Sequence, residues 1–298
     1  CINLKKIDLP RNLKKISPIA FQNSSVECIT IEEKNDSYYS EWGALFTKDR
    51  KKLICCPPAN SVFKVFDETE EIGDFACQKN TMITTVEIPG NIRILGKEAF
   101  ASCRNLNSVS FKNGLEIIGD FCFSMCEGLE KLIFPDSLKQ IGESAFENCC
   151  RLTSVKLSPC LEKIGRKALK RCYCLVTIEL PENIKVVPWE LCAECYELKE
   201  VTLAKESTEI RFNAFANCVN LKQVKNTDTV NLVESTVFQN CISLDIPQLA
   251  CDCMNGINLD ITGMSTLCEN SDKLMLGYEI NNMEEWRKEE IKRIKEFA

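Results

Sequence analysis

The sequence predicts a solenoid of about nine turns of roughly 23 residues, with a parallel β-sheet on one face and short helical or 3₁₀ turns on the other. Three observations predict it. Seven cysteines, Cys103, Cys126, Cys149, Cys172, Cys195, Cys218 and Cys241, follow one another at a constant spacing of 23 residues. Apolar columns keep the same period: Phe100, Phe123, Phe146, Leu169, Cys192, Phe215 and Phe238 stand three residues before the cysteines, and Leu106, Leu129, Leu152, Leu175, Leu198, Leu221 and Leu244 three after. A glycine column, Gly96, Gly119, Gly142 and Gly165, runs on as Pro188, Arg211 and Glu234. Units this short cannot bury an apolar face alone and must stack on their neighbours.

Each segment of the unit I-G-x-x-A-F-x-x-C-x-x-L-x-x-V-x-I-P has a physical reading. The alternation ending at Val109 and Phe111, or at Leu132, Phe134 and Pro135, is that of a short strand whose ladder proline stops. The glycine permits a turn that a side chain would crowd. A-F-x-x-C reads as one helical or 3₁₀ turn placing Phe and Cys inward. Parallel strands sit about 4.8 Å apart, so like residues pile on like.

The phrase Ile141-Gly142-Glu143-Ser144-Ala145-Phe146-Glu147-Asn148-Cys149, with Leu152 and Val155, resembles the leucine-rich repeat of the BspA-like type, known from surface proteins of bacteria and parasitic protists. Asn35 to Asp49, with Tyr38, Ser40, Gly43, Leu45, Phe46 and Lys48, resembles the insert of the same family, with Trp42 where Asp is usual. The resemblance implies a leucine-rich-repeat solenoid and a role in adhesion or protein–protein contact. Along the chain it divides into a first repeat (1–31), an inserted β-hairpin segment of the BspA-like type (32–62) and a solenoid of 23-residue repeats (63–247). Degenerate turns and an amphipathic capping helix follow (248–298). In that helix Met283, Trp286, Ile291, Ile294 and Phe297 share one face, and Asn282 and Glu285 open a capping box.

Composition narrows the function. A net charge of −6 argues against a nucleic-acid partner, and no apolar run is long enough for a membrane span. Cys1 in place of an initiator Met leads to the expectation of a fragment or processed product, with cell surface and cytoplasm both open. The chain has 20 cysteines and no histidine, which removes Ser-His-Asp and Cys-His catalysis and His-ligated metals. Cys192-x-x-Cys195 resembles a zinc or redox pair, yet both residues belong to repeat columns. The cysteine row is read as buried apolar thiols, with disulfides along the row as the alternative. Gly90 to Lys97 has five residues between its glycines where a phosphate loop has four. Two sequons, at Asn23 and Asn35, are open to glycosylation in a secreted protein.

With the columns assigned to packing, function falls to exposed positions. Residues flanking the inward strand column are Thr85, Glu87, Ser108, Ser110, Lys131, Ile133, Ser154, Lys156, Thr177, Glu179, Glu200 and Thr202. Mixed in charge and rich in hydroxyls, they form the expected partner-binding sheet face, suited to a polar protein. The expectation is a non-enzymatic binding protein without metal or cofactor, its partner a host matrix or cell-surface protein. The alternative is an intracellular scaffold with reduced thiols.

Overall fold

A computed structural model describes residues 3–244. These lie in one compact unit, Cys1–Cys253; a second unit, Met254–Ala298, lies outside the described residues, and with it the expected capping helix. The fold is a parallel β-solenoid of about 10 turns of ~23 residues, one more than expected. Each coil has three segments.

The first is the expected strand. Thr85–Ile88, Ser108–Phe111, Lys131–Ile133, Ser154–Lys156, Thr177–Glu179, Glu200–Thr202 and Gln223–Lys225 pair in parallel where they are hydrogen-bonded, always one repeat apart, as in Thr85↔Ser108, Lys131↔Ser154 and Thr177↔Glu200. Alternation works as the period-2 pattern requires: Val86 and Ile88 are buried while Thr85 and Glu87 are exposed.

The second segment is a strand that the sequence pattern does not reveal. Glu71–Ile72, Ile94–Leu95, Ile117–Ile118, Gln140–Ile141 and Lys163–Ile164 form a continuous parallel ladder, and Val186–Val187, Glu209–Ile210 and Leu232–Val233 form another. Two residues are too few to show an alternation. The glycine after each strand extends the ladder: Gly96 N donates to Ile72 O, Gly119 N to Leu95 O, Gly142 N to Ile118 O and Gly165 N to Ile141 O, each at 2.8 Å. Pro188 has no N–H to give Ile164 O, and the ladder breaks at that coil.

The third segment corrects the expected helical or 3₁₀ turns. Among the described residues no helix forms. From Phe75 to Asn240 two residues in each coil have positive φ, four apart, as at Glu98 (φ 53) and Ser102 (φ 59) or Ser144 (φ 50) and Asn148 (φ 61). A left-handed residue every fourth position forbids a helix. Backbone donors then alternate: Ala99, Ala101 and Cys103 donate three residues back, while Glu98, Phe100 and Ser102 donate to Asp120, Cys122 and Ser124 of the next coil. The turns are thus a third inter-coil ladder, and its hydrogen bonds offset the roughly 1–2 kcal/mol that each left-handed L-residue costs.

Inside the coils the columns stack as the period demands. Leu106, Leu129, Leu152, Leu175, Leu198 and Leu221 are fully buried. Phe100, Phe123 and Phe146 lie ring over ring, with centroids 5.2 and 5.4 Å apart and planes within 6°. Aromatic pairs in such arrangements add about 0.5–1.5 kcal/mol beyond burial.

Toward the N-terminus, Lys6–Leu9 pairs in parallel with Cys28–Ile31. Tyr38–Glu41 and Ala44–Thr47 then form an antiparallel hairpin closed by Trp42 (φ 49) and Gly43 (φ 76), the two positive φ values of a tight primed turn. Ala44–Thr47 also pairs with Lys52–Cys55, which joins Glu71–Ile72 in parallel, so the hairpin extends the second ladder of the solenoid. Arg50 lies 4.5 Å over the Tyr39 ring and 4.8 Å over the Phe66 ring, fixing the hairpin to the loop that follows.

Candidate functional site

Ten of the twelve residues expected on the sheet face, Thr85, Glu87, Ser108, Ser110, Lys131, Ile133, Ser154, Lys156, Thr177 and Glu179, are exposed on the first strand of successive coils. Glu200 and Thr202 are half-buried, against the expectation; Glu200 is held by Lys225 at 2.7 Å. The face is not one sheet. Ladders join Thr85–Ile88 to Ser108–Phe111, Lys131–Ile133 to Ser154–Lys156, and Thr177–Glu179 through Glu200–Thr202 to Gln223–Lys225. Ile133, 66% exposed, is the one large apolar side chain of the set.

The cysteine row has more structure than apolar packing supplies. Each thiol donates to a carbonyl of the preceding coil: Cys103 to Cys77 O and Cys126 to Phe100 O at 3.1 Å, Cys149 to Phe123 O at 3.3 Å, Cys172 to Phe146 O at 3.4 Å. The row continues through Cys195, Cys218 and Cys241 onto Leu169, Cys192 and Phe215. In the copy that carries Asn80 instead, its amide donates to Pro57 O and Asn60 O at 2.8 Å. The column therefore selects a small buried donor, a requirement hidden in the sequence because Cys and Asn look unalike. The seven cysteines of the row are free thiols. Burial pushes the Cys103 and Cys241 thiols up to about 12 and raises Cys192 well above the ordinary 9.0, so these groups stay protonated. A redox reading that uses Cys192 as the attacking thiol would need a thiolate where burial opposes one.

The two sequons part company. Asn35 is buried; its amide donates to Arg11 O and Leu13 O while its carbonyl accepts from Ser37 N and Tyr38 N. A glycan on that amide nitrogen would take one of its two donors and has no room while the side chain stays buried. Asn23 is exposed.

A third feature lies on the turn ridge. The position after the glycine column reads Asp74, Lys97, Asp120, Glu143 and Arg166, then Trp189 and Phe212, which are 48% and 43% exposed. In the charged part a ridge carboxylate satisfies the next ridge amide: Asp74 accepts from Lys97 N and Asp120 from Glu143 N. Phe212 N instead donates to Glu234 at 2.7 Å, and the same carboxylate accepts from Trp189 Nε1 (3.1 Å) and Arg211 (2.7 Å). Those three donors hold the Glu234 carboxyl below its ordinary value, the Arg211 bond most of all. Arg166, Lys167, Trp189, Glu190, Phe212 and Glu234 line an open cleft of about 330 Å³. The sequence shows this place only as a loosening of the glycine column.

The family model for the BspA type leucine rich repeat region matches residues 1–46, 70–189 and 185–255, in 6 copies. The chain belongs to the BspA-type leucine-rich-repeat family. Among curated proteins no sequence matches it. Of solved structures, the T. pallidum leucine-rich-repeat protein TpLRR is similar at 25% identity over 60% of this chain and 81% of its own, with a TM-score of 0.50. A Bacteroides ovatus leucine-rich-repeat protein is similar at 22% identity over 81% of this chain and 65% of its own, with a TM-score of 0.58. The pneumococcal vaccine antigen PcpA matches at 22% identity with a TM-score of 0.49, this chain spanning 54% of its length. Leucine-rich-repeat proteins generally act by binding other proteins, which makes this BspA-type chain a protein-interaction scaffold. Among the described residues no helix is long and apolar enough to cross a membrane.

Proposed function

We propose that the strand face is the partner-binding surface of this scaffold, and that the partner is a host matrix or cell-surface protein engaged in adhesion. One observation carries the reading: from Thr85 to Glu179 the exposed strand side chains, polar except for Ile133, stand in 23-residue register over five successive coils, and packing does not use them. A partner spanning several coils gains many weak polar contacts at once, which favours specificity over apolar burial. The free thiols of the row favour the intracellular variant of the same scaffold, in which the row stays reduced.

Binding to immobilised matrix and cell-surface proteins tests the proposal, with wild type compared to two triple variants of equal charge change. Lys131→Glu, Lys156→Glu and Glu179→Lys alter the strand face; Lys139→Glu, Glu162→Lys and Lys185→Glu alter exposed positions elsewhere on the coils. The strand set abolishes binding and the other set leaves it intact. Equal loss in both sets overturns the strand-face assignment, and indifference to the strand set with loss on changing Tyr39, Trp42 and Lys48 moves the surface to the hairpin.

A further inference from the structure

We propose that the cleft between Trp189 and Phe212 binds a neutral saccharide, at a site separate from the strand face.

A ridge otherwise charged in every coil from Asp74 to Arg166 carries two large aromatic side chains at this one place, each nearly half in solvent. Packing does not account for them, because neither ring is buried. The indole is fixed: its Nε1 donates to Glu234, a residue 45 positions on, which also ties down Phe212 N and Arg211. A half-exposed Trp held by a carboxylate from two coils away is pre-organised, so a ligand meeting its face loses little to ordering.

Around the rings the polar groups balance. Arg166 and Lys167 supply two cations, Glu190 and Glu234 two carboxylates, and each is already matched: Arg166 with Glu143 at 2.7 Å, Lys167 with Glu190 at 3.7 Å, Glu234 with Arg211 at 2.7 Å. The paired charges leave the cleft without a net charge that would favour a phosphate or sulfate over an amine, or the reverse. It is too open and too polar at its rim for a buried apolar anchor, which needs full desolvation. A nucleobase would stack on the rings, but a strand backbone requires a basic groove and these cations are neutralised. What fits is a ligand with an apolar face and a hydroxylated edge. The C–H bonds on one face of a pyranose carry slight positive charge and suit the negative face of an indole or phenyl ring. Its hydroxyls both donate and accept, matching carboxylates and guanidinium together. The salt bridge from Arg166 uses Nε, leaving its terminal nitrogens as donors.

The experiment uses the full chain with Trp42→Phe and Trp286→Phe, so that Trp189 is the only fluorophore of its kind. The probes are lactose, maltotetraose, cellotetraose, mannotriose and chitotriose, with inorganic phosphate and a sulfated disaccharide as charged comparators. At least one neutral probe is expected to shift Trp189 emission saturably in the millimolar range. Phe212→Ala should weaken that binding by about tenfold or more. Calorimetry on the original chain should show the same loss in Trp189→Ala and partial retention in Trp189→Phe, all with unchanged thermal melting. Silence of every neutral probe at tens of millimolar overturns the proposal. So does binding that survives both Phe212→Ala and Trp189→Ala, or a response to the charged probes alone.

Discussion

The coils from Ile94 to Gly165 and those from Val186 to Glu234 share one period, one set of apolar columns and one thiol row, yet they differ along a single column. In the first group glycine backs onto glycine: a Cβ built on Gly119 would lie 2.8 Å from the Gly96 carbonyl carbon, and one on Gly142 or Gly165 would lie 2.6 or 2.5 Å from the glycine before it. Backbone approaches this close leave no room for a side chain. In the second group Pro188, Arg211 and Glu234 occupy the column, the second ladder has broken and restarted, and Trp189 and Phe212 stand on the ridge. The core columns drift only among side chains that stay buried, as where Leu169 and Cys192 stand in the phenylalanine column. Relaxing a turn column costs one ladder junction and frees a ridge to carry chemistry.

The largest effect should fall on both groups alike, because the thiol row crosses both. Burial raises Cys103, Cys126, Cys149, Cys172, Cys218 and Cys241 above the ordinary 9.0. An unfolded thiol ionises near that value while the folded one stays protonated, so the folded state holds more protons in between. Stability is complete below about pH 9 and falls as pH rises toward the folded values, by about 1.4 kcal/mol per pH unit per thiol. Urea midpoints measured across pH 7 to 11 should therefore drop steeply above about pH 9. A flat profile would mean the row is not buried as thiols, and a free-thiol count on denatured, unreduced protein would then fall far below the 20 in the sequence.

Truncation within the first group comes next. Phe146→Ala removes a ring stacked 5.4 Å from Phe123 and should cost about 3–5 kcal/mol, with lost exchange protection concentrated in adjoining coils. Gly142→Ala should cost about 1–3 kcal/mol, since backbone must move to admit the methyl group. Arg211→Ala, at the same column in the second group, removes surface ion pairs to Glu209 and Glu234 and should cost far less than Gly142→Ala. Equal costs at Gly142 and Arg211 would erase the distinction between the groups.

Cys149→Ala should cost about 1–2 kcal/mol, losing the thiol bond to Phe123 O and leaving that carbonyl with its backbone donor alone. Read as apolar packing, the row predicts that serine is worse than alanine. With an acceptor 3.3 Å away, serine should cost no more than alanine, and paired urea melts of the two variants decide between those readings.

The solenoid is legible in the sequence because its columns repeat like on like: the spacing of Leu106 to Leu221 and of Phe100 to Phe238 is enough to announce stacking. The second ladder is not, since Ile94–Leu95 and its counterparts are too short to alternate. The turn conformation is hidden for another reason. Left-handed backbone falls on Glu98, Ser102, Lys167 and Arg171, which carry no signal for it, and the asparagines that do, Asn148, Asn213, Asn217 and Asn240, occupy these positions in only some coils. At the candidate surfaces, the strand-face positions follow from period-2 counting. The cleft does not, because Glu234 reaches Trp189 across two coils and no spacing rule pairs a glycine-column carboxylate with a ridge indole.

The distinction between the two groups of coils is most directly tested by native-state hydrogen exchange with residue resolution at sub-denaturing urea. Nearest-neighbour coupling with one broken ladder at Pro188 predicts that Gly119, Gly142 and Gly165 amides exchange as one block and Arg211 and Glu234 amides as another of lower stability. Lys185, whose amide turns to Asn183 O instead of the preceding coil, should be the least protected at the boundary. A single opening event shared by all these amides, with Lys185 as protected as Lys139, would contradict it.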